Sequence, residues 1–171
     1  HSAVGGGYDS VTIADVSVSV TDNDTAGVTL APASVDVTEG GATDTYTVVL
    51  DTEPTADVTI TLTPDAQITV SAPTLTFTAL NWNIAQTVTV TAVNDFFNET
   101  SPHVSTIAHS AAGGGYTGVS IATLLVNITD NDTAGVTIVQ SGGNTTIAEG
   151  GATDTYTVVL DTEPTADVTV T

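Results

Sequence analysis

The sequence predicts an all-β protein built from antiparallel β-sandwich units. It contains 36 Thr and 24 Val, together 60 of its 171 residues, and β-branched side chains favour pleated strands over helices. Apolar and threonine residues alternate along several segments, such as VTITLT at 58–63. An alternation of period two indicates strands with one buried face and one solvent-facing face.

Turn-forming residues divide one unit of the chain into about seven such strands. Gly, Pro, Asn and Asp separate the segments, with turns about every 8–12 residues. The predicted strands are 28–30 with 35–38, 46–50, 58–63, 68–77 with a break near Pro73, 87–92, 104–109 and 119–129. This pattern is typical of a seven-stranded Greek-key sandwich of the immunoglobulin type.

The sequence also repeats itself. Residues 39–59 recur unchanged at 149–169, and 20 of the 29 residues at 1–29 recur at 109–137. The two offsets are 110 and 108 residues, so one repeat is about 108–110 residues long. A fixed period of this kind indicates a tandem array of similar units.

The DND motif at 22–24 and 130–132 sets the register of the repeats. If a unit ends there, 1–24 holds the C-terminal strands of a preceding repeat, 25–132 a complete sandwich and 133–171 the N-terminal strands of a following repeat. The two end pieces cannot form one domain together, because neither matches 60–102. We therefore expect a segment of a longer array, which fits a chain that opens at His1.

Charge excludes several classes of partner. The chain has no Lys or Arg, 20 acidic residues and a formal net charge of -20. Nucleic acids and anionic membrane surfaces are bound mainly through basic residues, so neither is expected as a partner. No apolar run approaches the ~18 residues of a membrane span, so direct membrane insertion is not expected. Cations are the expected counter-charges.

Five acidic residues lie at predicted strand ends and loops. Glu39 begins the turn EGG, Asp95 and Glu99 lie in the loop VNDFFNET, and Asp130 and Asp132 flank Asn131 after the last strand. Ca²⁺ takes six to eight oxygen ligands at ~2.3–2.6 Å. Carboxylates that converge at one pole of a sandwich would form such a site; the alternative is a set of separate, solvated loop charges.

The motifs resemble a known family in order along the whole unit. VTEGGATDTYTVVLDTEP, LTFTALNW, QTVTVTAVNDFFNE, STIAHS, GGGYTGV and ITDNDTAG are similar to the Calx-beta repeats of large bacterial and archaeal surface proteins and of sodium/calcium exchangers. The resemblance implies a Calx-beta type of sandwich with Ca²⁺ as its cofactor. It implies metal ligands at Glu39, Asp95, Glu99, Asp130 and Asp132, with copies at Glu149, Asp22 and Asp24.

A departure from the family pattern and a second similarity refine what the resemblance implies. Exchanger domains have denser acidic runs, whereas Asn94, Phe96, Phe97 and Asn131 stand beside the acids here. This favours one or two structural ions over four-ion sensing. A DND motif followed by a new strand is also similar to the calcium linkers of cadherins, whose other motifs fit less well.

Other residues carry weaker alternatives. Trp82 and Phe77 could form a sugar-stacking platform, but core packing is the preferred interpretation. His1 and His109 occupy equivalent positions, and a hydrogen-bonded structural histidine is preferred over a catalytic base, since no nucleophile accompanies them. The Thr-x-Thr faces could bind ice or carry glycans, but ordinary strand propensity explains them.

Three classes of function remain. The leading hypothesis is a structural module of an extracellular, cell-surface stalk, fibre or adhesin shaft made rigid by Ca²⁺. Its partners would be neighbouring repeats and identical chains in a fibre. The alternative is a carbohydrate- or surface-binding module attached to a secreted enzyme or adhesin. An enzyme is not expected, because near-identical repetition suits a shaft and no catalytic constellation stands out.

Overall fold

The computed structural model describes all 171 residues and contains eleven β-strands and one short 3-10 turn. The strands are β1 Val28–Ala31, β2 Ser34–Thr38, β3 Asp44–Leu50, β4 Val58–Pro64, β5 Ile68–Val70, β6 Thr74–Phe77, β7 Gln86–Ala92, β8 His103–Ala112, β9 Leu124–Thr129, β10 Val136–Gln140 and β11 Tyr156–Leu160. The 3-10 turn is Ser141–Gly143. No helix in the chain is long and apolar enough to cross a bilayer.

Strands β1 to β9 form two sheets that enclose a common core. One sheet has the order β1-β3-β7-β5 and the other the order β2-β9-β8-β4-β6. Every pair in these sheets is antiparallel except β2 with β9, which run parallel. The all-β, immunoglobulin-like sandwich expected from the sequence is confirmed, with one parallel pair that the sequence did not predict.

The sandwich has nine strand segments because two of the seven predicted strands each divide between the sheets. The first, 28–38, places β1 beside β3 in one sheet and β2 beside β9 in the other. The second, 68–77, places β5 beside β7 and β6 beside β4. Pro32 and Pro73 lie at the two breaks, and proline has no N–H to donate to a ladder. The first crossover also brings β2 parallel to β9.

The core follows the predicted alternation. It consists of 19 buried apolar residues, all between Val35 and Ile128. Tyr46, Val48 and Leu50 of β3 are at most 2% exposed, as expected for the dry face of an alternating strand. Thr47 and Val49, which lie between them, are only partly buried.

The GGGY turn closes the sandwich between β8 and β9. Tyr116 is buried, and its hydroxyl donates to the Thr52 carbonyl at 2.6 Å. The Val119 N–H bonds to the Tyr116 carbonyl at 3.0 Å, so the chain is still turning there. The strand predicted over 119–129 therefore begins only at Leu124.

The end segments contain fewer strands than the sandwich. Residues 1–27 contain no strand, although 1–24 were expected to hold strands; their counterparts in the sandwich pair with β2 and β4, and no such partners lie beside 1–24. Near the other end, β10 and β11 form an antiparallel hairpin. Its register, Val136 opposite Leu160, reproduces Val28 opposite Leu50.

Candidate metal site

Glu39 is a buried carboxylate at one pole of the sandwich. It follows β2, and its N–H bonds to the Thr129 carbonyl at 3.1 Å. Gly40 turns the chain with a φ of 59°, and a Cβ there would lie 2.6 Å from Asn94 Oδ1. The tight turn holds Glu39 at 2% exposure, and its Oε2 atom has no hydrogen-bond partner.

The parallel pairing of β2 with β9 brings Asp130 and Asp132 to Glu39. Thr38 lies opposite Thr129, so the residues that follow each strand meet at the same pole. Asp130 Oδ1 accepts the Asp132 N–H at 2.8 Å, which bends the DND segment back on itself. Glu39, Asp130 and Asp132 each offer one oxygen within 4.8 Å of the other two. Asp132 Oδ2 is also buried without a hydrogen-bond partner.

The loop between β7 and β8 supplies the other predicted acids. The Glu99 N–H donates to Asp130 Oδ2 at 2.7 Å, which ties this loop to the DND segment. Glu99 also lies within ligand distance of Glu39. Asp95 is a near neighbour that raises the pKa of Glu39, but it belongs to neither set of ligand-spaced atoms. Its Oδ1 atom instead accepts the Phe97 N–H at 2.8 Å.

His103 also joins the cluster, and the sequence analysis missed it. Its Nε2 atom lies 3.3 Å from Glu99 Oε2, and one of its ring nitrogens lies within 4.8 Å of Glu39. A signal for it exists in the sequence, because His103 stands four residues after Glu99 and directly before the predicted strand 104–109.

The electrostatics of this pole disfavour an unpaired charge on Glu39. Burial raises the pKa of Glu39 above its ordinary value, and the charges of Asp95 and Asp130 raise it further, against a backbone hydrogen bond from Asp95. Conversely, the Asp132 N–H lowers the pKa of Asp130, with help from the Glu99 N–H. Asp130 thus carries its charge readily, whereas Glu39 favours its protonated form unless a cation lies beside it.

The copied acids lie outside the cluster. Asp22, Asp24 and Glu149 are exposed, and none belongs to a ligand-spaced set. The local turn is nevertheless conserved in shape, because the Asp24 N–H donates to Asp22 Oδ1 at 3.0 Å. The local turn alone does not assemble the cluster: it also requires a strand equivalent to β2 and a loop equivalent to 93–102.

The loop between β7 and β8, residues 93–102, also contacts the segment that follows the sandwich. The Glu163 N–H donates to the Phe96 carbonyl at 2.7 Å. A cleft of about 550 Å³ lies beside this contact, between Asn98 of the loop and Val136 and Leu160 of the hairpin. The same loop therefore contributes to the acidic cluster and to the junction with the next hairpin.

The remaining candidates have structural roles. Phe77 is 0% exposed, and Trp82 is half-buried and packs against the core. His109 is hydrogen-bonded through Nε2 to the Tyr46 hydroxyl at 2.8 Å and through Nδ1 to the Ala122 carbonyl at 3.2 Å. The core and hydrogen-bonded interpretations are confirmed for these side chains.

Comparison with known proteins supports the fold only, through similar solved structures. No family model matches the sequence, and no curated protein matches it. Similar solved structures include the E. coli chaperone DraB, with 10% identity, a TM-score of 0.47 and coverage of 65% of this chain and 59% of DraB. The PapD-like domain 7 of human CEP192 has 12% identity, a TM-score of 0.46 and coverage of 72% and 98%.

A Calx-beta structure is also among the matches. CBD12 of CALX1.2 has 14% identity, a TM-score of 0.38 and coverage of 67% of this chain and 48% of that one. These neighbours are chaperone, PapD-like and Calx domains rather than enzymes. At such identities the likeness concerns the sandwich and carries no assignment of function. Independently of it, the acidic cluster is arranged so that it could hold a metal ion.

Proposed function

We propose that this chain is a Ca²⁺-binding structural segment of an extracellular array of Calx-beta-type sandwiches, arranged as a stalk, fibre or adhesin shaft. The observation that carries the proposal is Glu39, which is 2% exposed, has an unpartnered carboxylate oxygen and faces other carboxylates. The sequence holds no Lys or Arg that could neutralise it. A buried charge requires a partner, and a bound cation supplies one.

The donor set favours calcium. Glu39, Asp130 and Asp132 offer carboxylate oxygens only, and hard divalent cations prefer such ligands. Backbone carbonyls and water would complete the coordination of a Ca²⁺ ion. The order of the Calx-beta-like motifs along 25–132 supports the same choice, because the resemblance implies metal ligands at these positions.

The contact at Phe96 links the ion to the shape of the array. Residues 95–99 border the cluster, and the Phe96 carbonyl accepts the Glu163 N–H of the next segment. An ion that orders this loop would therefore also order the junction. In this proposal 1–24 and 133–171 belong to flanking repeats, and the partners are neighbouring repeats and identical chains in a fibre.

Thermal unfolding tests the calcium assignment. A ligand at about 100 times its Kd stabilises the folded state by about 2.7 kcal/mol, which corresponds to a rise in Tm of about 10 °C for a domain of this size. Chelation should remove that rise, and Asp130→Ala with Asp132→Ala should abolish the calcium response. The matched control is Asp22→Ala with Asp24→Ala, the same motif outside the cluster. An unchanged Tm in excess chelator would refute the assignment.

Small-angle scattering tests the shaft. A protein of two complete repeats should be an extended rod with a fixed maximum dimension in Ca²⁺ and should lose that fixed extension on chelation. An equal maximum dimension and equal flexibility in both states would show that packing alone holds the junction.

A further inference from the structure

A second set of ligand-spaced side chains lies beside the all-oxygen set. Glu39, Glu99 and His103 each offer one atom within 4.8 Å of the other two. The His103 side chain is 20% exposed, and both of its ring nitrogens are buried without a hydrogen-bond partner. Buried polar atoms in folded proteins nearly always have partners. An imidazole left in this state beside two carboxylates is therefore unusual.

The spacing of this set is compatible with one bound ion. His103 Nε2 and Glu99 Oε2 are 3.3 Å apart, within ion-pair distance, although neither atom makes a hydrogen bond. Tetrahedral coordination with bonds of ~2.0–2.1 Å places neighbouring ligands about 3.3 Å apart. The other Glu99 oxygen accepts the Gln67 side-chain N–H at 2.9 Å. Such an outer hydrogen bond fixes the orientation of a ligating carboxylate.

The chemistry differs from that of calcium. Imidazole nitrogen suits borderline transition-metal ions, whereas Ca²⁺ takes oxygen ligands. We propose that Glu39, Glu99 and His103 form a separate site for a borderline divalent transition-metal ion, with Zn²⁺ as the representative ion.

Glu39 gives the second, independent support. Its side chain is 2% exposed, and its unpartnered Oε2 atom lies in the cluster. A carboxylate has two oxygens, so Glu39 can serve the nitrogen-containing set and the all-oxygen set together. This site goes beyond the proposed calcium function, because it uses a nitrogen ligand and neither Asp130 nor Asp132.

Cobalt substitution tests the site in the full 171-residue chain. Co²⁺ occupies zinc sites and reports its coordination through visible d–d absorption. In saturating Ca²⁺, one equivalent of Co²⁺ should bind, produce these bands and be displaced by Zn²⁺. His103→Gln should weaken Co²⁺ binding by at least the ~10–100-fold that loss of an outer-shell partner causes.

Two variants make the outcome decisive. His1→Gln tests the exposed histidine beside the amino terminus and should leave the cobalt bands unchanged. Asp132→Asn should reduce the calcium-dependent rise in Tm while it leaves Co²⁺ affinity within about threefold, well below the ~10–100-fold effect of losing a ligand-supporting group. His109 already has two hydrogen-bond partners and should not compete.

Three results would overturn the proposal. Binding of Co²⁺ by His103→Gln with unchanged affinity would exclude imidazole ligation, and loss of the bands in His1→Gln would place the ion at the amino terminus. Loss of Co²⁺ binding in Asp132→Asn would place it in the all-oxygen set. A chain with no calcium response but with His103-dependent cobalt bands would refute the proposed calcium function and leave this site standing.

Discussion

Replacement of Glu39 by glutamine should change the stability of the protein in opposite ways with and without calcium. The substitution keeps the shape of a side chain that is 2% exposed and removes its charge. Two unit charges 4.8 Å apart, the limiting separation of the Glu39 and Glu99 ligand atoms, repel by about 3.5 kcal/mol at an effective dielectric constant of about 20. Salt and relaxation reduce this figure, so relief of about 1–3 kcal/mol is expected.

The cation-free variant should therefore melt about 4–12 °C above the cation-free parent. In calcium the parent gains about 10 °C at 100 times its Kd, whereas Glu39→Gln has lost a ligand and should gain only about 2–3 °C or less. The Tm values of the two proteins thus converge or reverse in order when calcium is added. Calorimetry in chelator and in Ca²⁺, at equal ionic strength, measures both differences.

Glu149→Gln is the matched control. Glu149 stands in the same EGGATDTYTVVL sequence but is exposed and belongs to no cluster. Its substitution should leave Tm unchanged in both buffers. A Glu39→Gln protein that melts below its parent in chelator and keeps the full calcium response would refute the reasoning, since Glu39 would then be neither a strained charge nor a ligand.

Three further predictions use the sandwich and the repeat. Burial lowers the pKa of His109 below its ordinary value of 6.5. Protonation of this group therefore costs no stability above about pH 6.5 and an increasing amount as the pH falls below that value. Urea unfolding between about pH 7.5 and 5.5 should show the loss of stability, and His109→Gln should remove the part that is due to this group. Tyr116→Phe removes the hydrogen bonds to Thr52 and should lower Tm by about 4–12 °C. Tyr8 is the equivalent residue of the preceding segment and is 61% exposed, so Tyr8→Phe should leave Tm unchanged. Equal effects of the two substitutions would contradict a stabilising role for the Tyr116 hydroxyl. Gly114→Ala adds a Cβ 2.6 Å from Val58 Cγ2 at a φ of +54° and should cost about 2–4 kcal/mol. Gly6→Ala shares the left-handed φ, at +63°, but meets no atom nearer than 3.9 Å, so it should cost at most the ~1–2 kcal/mol of that backbone conformation.

The strands could be predicted because a period-two alternation puts the apolar residues of a strand on one face, and that face must be buried. Val48 and Phe77 are both fully buried, as period two and the strand-end motif indicated. The sequence could not predict that two strands divide between the sheets. Pro32 and Pro73 indicate a break in each strand, but they do not indicate which sheet each half joins. The parallel β2–β9 pair depends on that choice.

The candidate site could likewise be predicted only in part. Glu39, Glu99, Asp130 and Asp132 lie within ligand distance of one another in two overlapping sets, as their positions at strand ends suggested. His103 was missed, because its role depends on where β8 begins relative to the acidic loop. The copies at Asp22, Asp24 and Glu149 could be recognised as equivalent in sequence, but tertiary contacts, rather than the motif, assemble the cluster.

The most direct test of the central claim is a crystal structure grown in calcium, with an anomalous difference map at the pole of the sandwich. A Ca²⁺ ion should lie about 2.3–2.6 Å from oxygens of Glu39 and Asp132, with the 95–99 loop ordered against the following segment. A map without an ion in saturating Ca²⁺, with the Glu39 Oε2 atom instead hydrogen-bonded within the protein, would contradict the proposed calcium site.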